Sequence, residues 1–123
     1  MGDIMNRIPL VLDLSALVGL EVIQVAIGQY EVIIQLHPIG AIRLEGGWTL
    51  KDKDGRLIDH SMEHSERDAW RIHKIIGSKI SECIVRDEKH LDISFDGFSL
   101  EIEDDSDQYE TFSIDHPLVK LYV

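Results

Sequence analysis

Two stretches of the chain decide the fold: LVGLEVIQVAI at residues 17–27 and IIGSKISECIV at residues 75–85. Each stretch has two aliphatic residues, then a glycine, then a run rich in β-branched residues. Runs of this composition next to glycine are typical of β-strands. The offset from residue 17 to residue 75 is 58 residues, and similarity at one fixed offset predicts two copies of one structural unit.

The similarity continues beyond these two stretches. Length differences between the copies fall at presumed hairpin loops, where insertions are tolerated best. We therefore expect residues 17–50 and 75–114 to be duplicated segments. The matching positions are Val32, Ile34 and Leu36 with Leu91, Ile93 and Phe95; Ile42, Leu44 and Glu45 with Leu100, Ile102 and Glu103; and WTL at 48–50 with FSI at 112–114.

The fold class that this pattern predicts is α+β and mainly β. We expect two duplicated four-stranded antiparallel meanders that form a sandwich or a partly open barrel, with one helix between the copies. Apolar and polar residues alternate over 91–95 and 98–102, around an Asp-Gly hairpin signal. The linker and helix occupy 56–76. The helix is expected over 66–76, with a capping box at Ser65 and Asp68 and a stop at Gly77.

Length and charge limit the classes of protein to consider. The 123 residues fit a single domain, 1–123, and the net charge of −11 argues against nucleic acid and anionic membranes as partners. The single cysteine, Cys83, suits a reducing compartment. No secretory pattern is apparent near the start of the sequence, so we expect a cytoplasmic protein, as a monomer or a homodimer.

The stretch HSMEH at residues 60–64 has the spelling of an inverted zinc-peptidase motif, H-x-x-E-H, which would use His60, Glu63 and His64. That chemistry needs both histidines on one continuous helix and a third ligand from elsewhere. The best helix start, Ser65, comes after the motif. We therefore expect a polar linker with no metal, no cofactor and no catalytic residues. A small-ligand or metal-binding domain, at the extreme a metallohydrolase, is the alternative.

The acidic run EIEDDSDQYE at residues 101–110 falls where the second copy is about six residues longer than the first. An insertion in one copy of a repeat is a natural place for a specialised surface. A solvated loop that prevents edge aggregation explains the same composition. The candidate partner-binding residues are Glu103, Asp104, Asp105, Asp107 and Glu110.

Three motifs resemble a family of small bacterial β-rich domains of unknown function. They are L-x-G-x-x-V-x-x-V-x-I-G-x-Y from Leu17 to Tyr30, E-G-x-W-x-L-x-D-x-D-G from Glu45 to Gly55, and Y-E-[ST]-F-x-I from Tyr109 to Ile114. Small acidic bacterial proteins of this general kind are often immunity proteins for polymorphic toxins. The resemblance thus implies a non-enzymatic, immunity-like interaction module, and the charge implies a basic protein partner.

Overall fold

The computed structural model describes residues 8–9, 12–29, 31–61, 71–104 and 111–123. Two antiparallel five-stranded sheets account for most of them, so the mainly β prediction is confirmed, and these residues form no closed barrel. Sheet 1 has the order β1 (Glu21–Ile27), β2 (Val32–His37), β3 (Ala41–Leu44), β9 (Phe112–His116), β10 (Val119–Tyr122). Sheet 2 has the order β5 (Leu57–His60), β4 (Gly47–Asp52), β8 (Phe98–Glu103), β7 (His90–Phe95), β6 (Ile80–Asp87).

The expected four-stranded meanders are wrong in one respect. Only the first three strands of each segment stay together, and the next two strands pair in the other sheet. At the first crossing, the N–H groups of Glu45 and Gly46 donate to the carbonyl of Thr111. The chain therefore does not reverse into a hairpin between β3 and β4, but turns a corner from one sheet into the other.

The alternation of apolar residues places the core between the two sheets. Along β7, Leu91, Ile93 and Phe95 are buried and the residues between them are half-buried. β2 repeats this pattern with Val32, Ile34 and Leu36. The buried residues of both sheets belong to one hydrophobic cluster. Burial of this kind is the main favourable contribution to folding.

The two segments contact each other through equivalent hydrogen bonds. Gly19 and Gly77 both have a φ of +92°, a conformation that glycine adopts without strain. The Gly19 N–H donates to the carbonyl of Ile80 at 2.7 Å, and the Gly77 N–H donates to the carbonyl of Val22 at 2.7 Å. The left-handed conformation predicted for Gly77 is therefore confirmed.

The helix expected over 66–76 is wrong where the structure describes it. Residues 62–70 lie outside the described part, and the remainder contains a short 3₁₀ helix, η2 (Ile72–Ile75), the counterpart of η1 (Ser15–Leu17) before β1. The N–H groups of Arg71 and Ile72 donate to Oδ2 of the buried Asp59, at 2.5 and 2.9 Å. Because a side-chain carboxylate accepts these two N–H groups, as happens at the first turn of a helix, Arg71 and Ile72 have the hydrogen bonding of a helix start.

No helix in the described ranges is long and apolar enough to cross a membrane.

Candidate functional site

The two corners at which the chain changes sheets differ in length. Only residues 45–46 separate β3 from β4, whereas residues 104–111 separate β8 from β9. The corners are equivalent in the strand order of the two sheets. Two residues are therefore enough for the chain to pass from one sheet to the other, and the second corner has six residues more than the first. We call residues 103–111 the acidic corner.

Hydrogen bonds hold both ends of the acidic corner. The hydroxyl of Thr111 donates to Oδ1 of Asp104 at 2.8 Å, and both residues are 1% exposed. The N–H of Asp104 donates to the carbonyl of Lys89 at 2.7 Å. The carbonyl of Thr111 accepts the N–H groups of Glu45 and Gly46 at 2.8 and 2.9 Å. The fold therefore fixes the positions of Asp104 and Thr111, the described residues at the two ends of the acidic corner.

The five predicted partner-binding residues do not share one environment. Glu103 ends β8 with an exposed side chain. Asp104 is buried, so its carboxylate supports the corner and does not lie on the surface. Asp105, Asp107 and Glu110 lie outside the described residues. The sequence does not distinguish Asp104 from its acidic neighbours. What distinguishes it is its burial and the hydroxyl of Thr111, seven positions away, and both depend on the fold.

The outer surface of sheet 2 next to this corner is also acidic, and we call it the acidic face. Lys51 Nζ lies 3.1 Å from Glu101 Oε2, and Arg86 Nε lies 2.8 Å from Asp92 Oδ2. A depression of about 210 Å³ opens here, and its lining includes Glu101 and Glu103 together with Arg86 and His90. In total, the acidic face contains the carboxylates of Glu82, Asp87, Asp92, Glu101 and Glu103 and the cationic side chains of Lys51 and Arg86, with His90 among them.

His90 links the β6–β7 turn to the acidic corner. Its Nδ1 is 2.7 Å from Asp87 Oδ1, and its Nε2 is 3.2 Å from Glu103 Oε2. A neutral imidazole has only one N–H, so only the imidazolium donates to both carboxylates. The hydrogen bond with Asp87, followed by that with Glu103, raises the pKa of His90 despite some desolvation. Hydrogen bonding to His90 lowers the pKa of Asp87 in turn.

Asp92 lies in the middle of the acidic face and is less well satisfied. Its Oδ1 is buried and has no hydrogen-bond partner in the part of the chain that the structure describes. Desolvation raises the pKa of this carboxyl, although Arg86 opposes the shift. An acceptor atom in this position is costly to leave unpaired, so a donor from outside the chain would be favourable here.

His60, the first residue of HSMEH, lies in a strand and not in the helix that an inverted zinc motif requires. His60 ends strand β5, and Ser61 follows it in a turn. The Ser61 hydroxyl accepts the N–H of Trp48 at 3.0 Å. Glu63 and His64 lie outside the described residues. Among the residues that are described, no group of three or more His, Cys, Asp or Glu side chains is arranged to hold a metal ion.

The thiol of Cys83, the single cysteine, does not have the exposed, positively charged surroundings of a reactive cysteine. Cys83 on β6 is half-buried and packs against the core. Desolvation, with a smaller effect from Glu82, raises its pKa to about 11. The thiol is therefore protonated at neutral pH and is a poor nucleophile.

Comparisons of the chain with protein-family models, curated proteins and solved structures found no match.

Proposed function

We propose that this protein is a non-enzymatic protein-interaction module that binds a basic partner through its acidic corner and acidic face. The observation that carries the proposal is the difference between the two corners. The same crossing is made with two residues in one half and eight in the other. Four of the eight, Asp104, Asp105, Asp107 and Glu110, are acidic. The longer corner exceeds what the fold needs, and its composition favours a cationic partner.

The duplication is part of this proposal. The matched strand order of the two segments, the shared φ of Gly19 and Gly77 and their reciprocal hydrogen bonds all support descent from one repeated unit. In a duplicated protein, a segment that is present in only one copy is a natural place for a function that the other copy lacks. The acidic corner is that extension.

The electrostatics of the surface support a basic protein as the partner. The chain has a formal charge of −11, and the acidic face adds carboxylates next to the corner. Such a field attracts cationic proteins and raises their association rate, and salt screens the attraction.

The class of interaction that we propose is immunity-like, in a cytoplasmic bacterial protein. The motif resemblance between residues 17 and 114 supports this class, as does the small acidic character of the chain. Neutralising a basic toxin needs a rigid surface and no catalytic groups. The paired sheets provide the rigidity, because the main chain of β8 is hydrogen-bonded on both sides, to β4 and β7.

The proposal is tested with two variants of equal net charge. Asp105→Lys with Asp107→Lys changes the acidic corner. Asp54→Lys with Asp96→Lys makes the same change in the turns after β4 and β7, which lie at the opposite end of sheet 2. Each variant and the wild type are used as bait, and the retained proteins are quantified by mass spectrometry.

We expect a basic protein that the wild type and the Asp54/Asp96 variant retain and that the Asp105/Asp107 variant loses. Equal retention by all three baits would contradict a role for the corner. Absence of any enriched basic protein would contradict the proposed partner class.

A further inference from the structure

The outer surface of sheet 1 has a second, different recess. Two adjoining depressions of about 400 and 480 Å³ share Gln35, Ala41 and Asp115 in their lining. The recess lies on the middle strands because small residues stand there: Ala41 faces Asp115 across the β3–β9 pair, and Ser113 faces Arg43. We call this recess the sheet-1 cleft. Its lining includes no residue of the acidic corner or of the acidic face.

The charges that line the sheet-1 cleft cancel, unlike those of the protein as a whole. The cations are Arg43 and Lys120, and the carboxylates are Glu45 and Asp115. A ligand with a net charge of either sign would meet both an opposite and a like charge at short range, and would gain little overall attraction. The lining therefore suits an uncharged ligand, and the proposed basic partner of the acidic corner is not its occupant.

Several polar side chains of the cleft are available to a ligand. Gln35, Ser113, Asp115 and Lys120 make no side-chain hydrogen bond or ion pair with the described residues, while Arg43 pairs with a glutamate outside the cleft at 3.4 Å. By contrast, the position on sheet 2 equivalent to Asp115 is Lys51, which is paired with a carboxylate. The cleft thus combines a hydrogen-bond donor, Lys120, an acceptor, the Asp115 carboxylate, and two side chains that can both donate and accept, Gln35 and Ser113.

The main chain of β2, β3 and β9 is not available to a ligand, because each of these strands is hydrogen-bonded on both sides within the sheet. β2, β3, β9 and β10 pair in succession across the recess. An added peptide strand would pair along the outer edge of β10, whereas the cleft lies on the face of the sheet. The ligand must therefore present closely spaced donors and acceptors to side chains. Hydroxyl groups do both, and Tyr122, which is 54% exposed on the rim, offers a ring surface for an apolar sugar face.

We propose that the sheet-1 cleft binds a neutral saccharide. Gln35, Asp115 and Lys120 hydrogen-bond its hydroxyl groups, and the ring of Tyr122 packs against the sugar. The volume of the two depressions lies in the range of small-molecule sites. This binding is independent of the basic partner and does not rest on it.

The test is a titration of the ¹⁵N-labelled full chain, followed by amide chemical shifts, with maltotetraose, cellotetraose and chitotetraose as separate probes. We expect at least one probe to give saturable shifts centred on β2, β3, β9 and β10. Asp115→Ala and Gln35→Ala should each weaken that affinity by about tenfold. Lys51→Ala, at the equivalent position of sheet 2, should leave it unchanged. The spectra also report whether each variant keeps its fold.

Three results would overturn the proposal: no saturable shift with any of the three saccharides, equal affinity in Asp115→Ala and Lys51→Ala, or the same shifts with neutral tetra-alanine in place of a sugar. The last result would assign the cleft to peptide recognition.

Discussion

Removing the carboxylate of Asp104 should destabilise the protein markedly, even though this residue lies in an acidic run. Asp104 is 1% exposed, and its Oδ1 accepts the hydroxyl of the equally buried Thr111 at 2.8 Å. A hydrogen bond to a charged group contributes about 1.5–3 kcal/mol, and truncation also leaves a buried hydroxyl unpaired. We expect Asp104→Ala to lower the free energy of unfolding by about 2 kcal/mol. For a domain of this size the melting temperature should fall by roughly 6–10 °C.

Urea unfolding followed by circular dichroism measures this change, and Thr111→Val completes a double-mutant cycle. The cycle should give a coupling energy of about 1 kcal/mol between the two side chains. Asp115→Ala is the matched control, because Asp115 is exposed and should change stability by less than about 0.5 kcal/mol. Asp104→Ala with wild-type stability, or additive effects in the cycle, would refute the assignment of Asp104 as the anchor of the acidic corner.

Three further predictions concern the rest of the fold. Gly77→Ala should destabilise the protein by about 1 kcal/mol in thermal melts. The cause is backbone strain at a φ of +92°, because the added Cβ would meet nothing within 4 Å. An unchanged melting temperature would contradict the left-handed conformation. At a pH below the ordinary histidine pKa, His90→Gln should lower the free energy of unfolding by under about 1 kcal/mol, because only the protonated ring donates to both Asp87 and Glu103. This loss should disappear as the pH rises through the raised pKa of His90. Unfolding of the wild type and the variant between about pH 5 and 9 tests this, and a difference that does not change with pH would contradict the link. Protein purified without an affinity tag should contain no stoichiometric zinc by elemental analysis, and His64→Ala should leave unfolding unchanged; a one-to-one zinc content would restore the metallohydrolase alternative.

The strands follow from the sequence because their signal is local. Alternation over 91–95 and 98–102 depends only on neighbouring residues, and the repeat from 17–27 to 75–85 is visible by comparing two stretches of sequence. The crossing at Glu45 and Gly46 does not follow from the local sequence. The alternation of apolar residues in β3 and β4 would be the same if both strands stayed in one sheet. What makes the corner is the carbonyl of Thr111, more than sixty positions away, which accepts both N–H groups.

Long-range partners also decide the parts of the site that the sequence does not reveal. The expected helix over 66–76 has the right apolar spacing, but Asp59 takes the N–H groups of Arg71 and Ile72. The acidic run was predicted as one surface, yet Asp104 turns inward to Thr111. In each case a carboxylate that looks solvated in the sequence satisfies buried donors in the fold.

The association rate of the basic partner tests the central proposal most directly. Surface binding kinetics are measured with the partner retained in the bait experiment, at low and at physiological salt, for the wild type, the Asp105→Lys/Asp107→Lys variant and the Asp54→Lys/Asp96→Lys variant. We predict an association rate about tenfold lower for the corner variant at low salt, a smaller difference at physiological salt, and little change for the variant altered at the far end of sheet 2. Equal association rates for the two variants would show that net charge alone attracts the partner, and would contradict the acidic corner as its binding site.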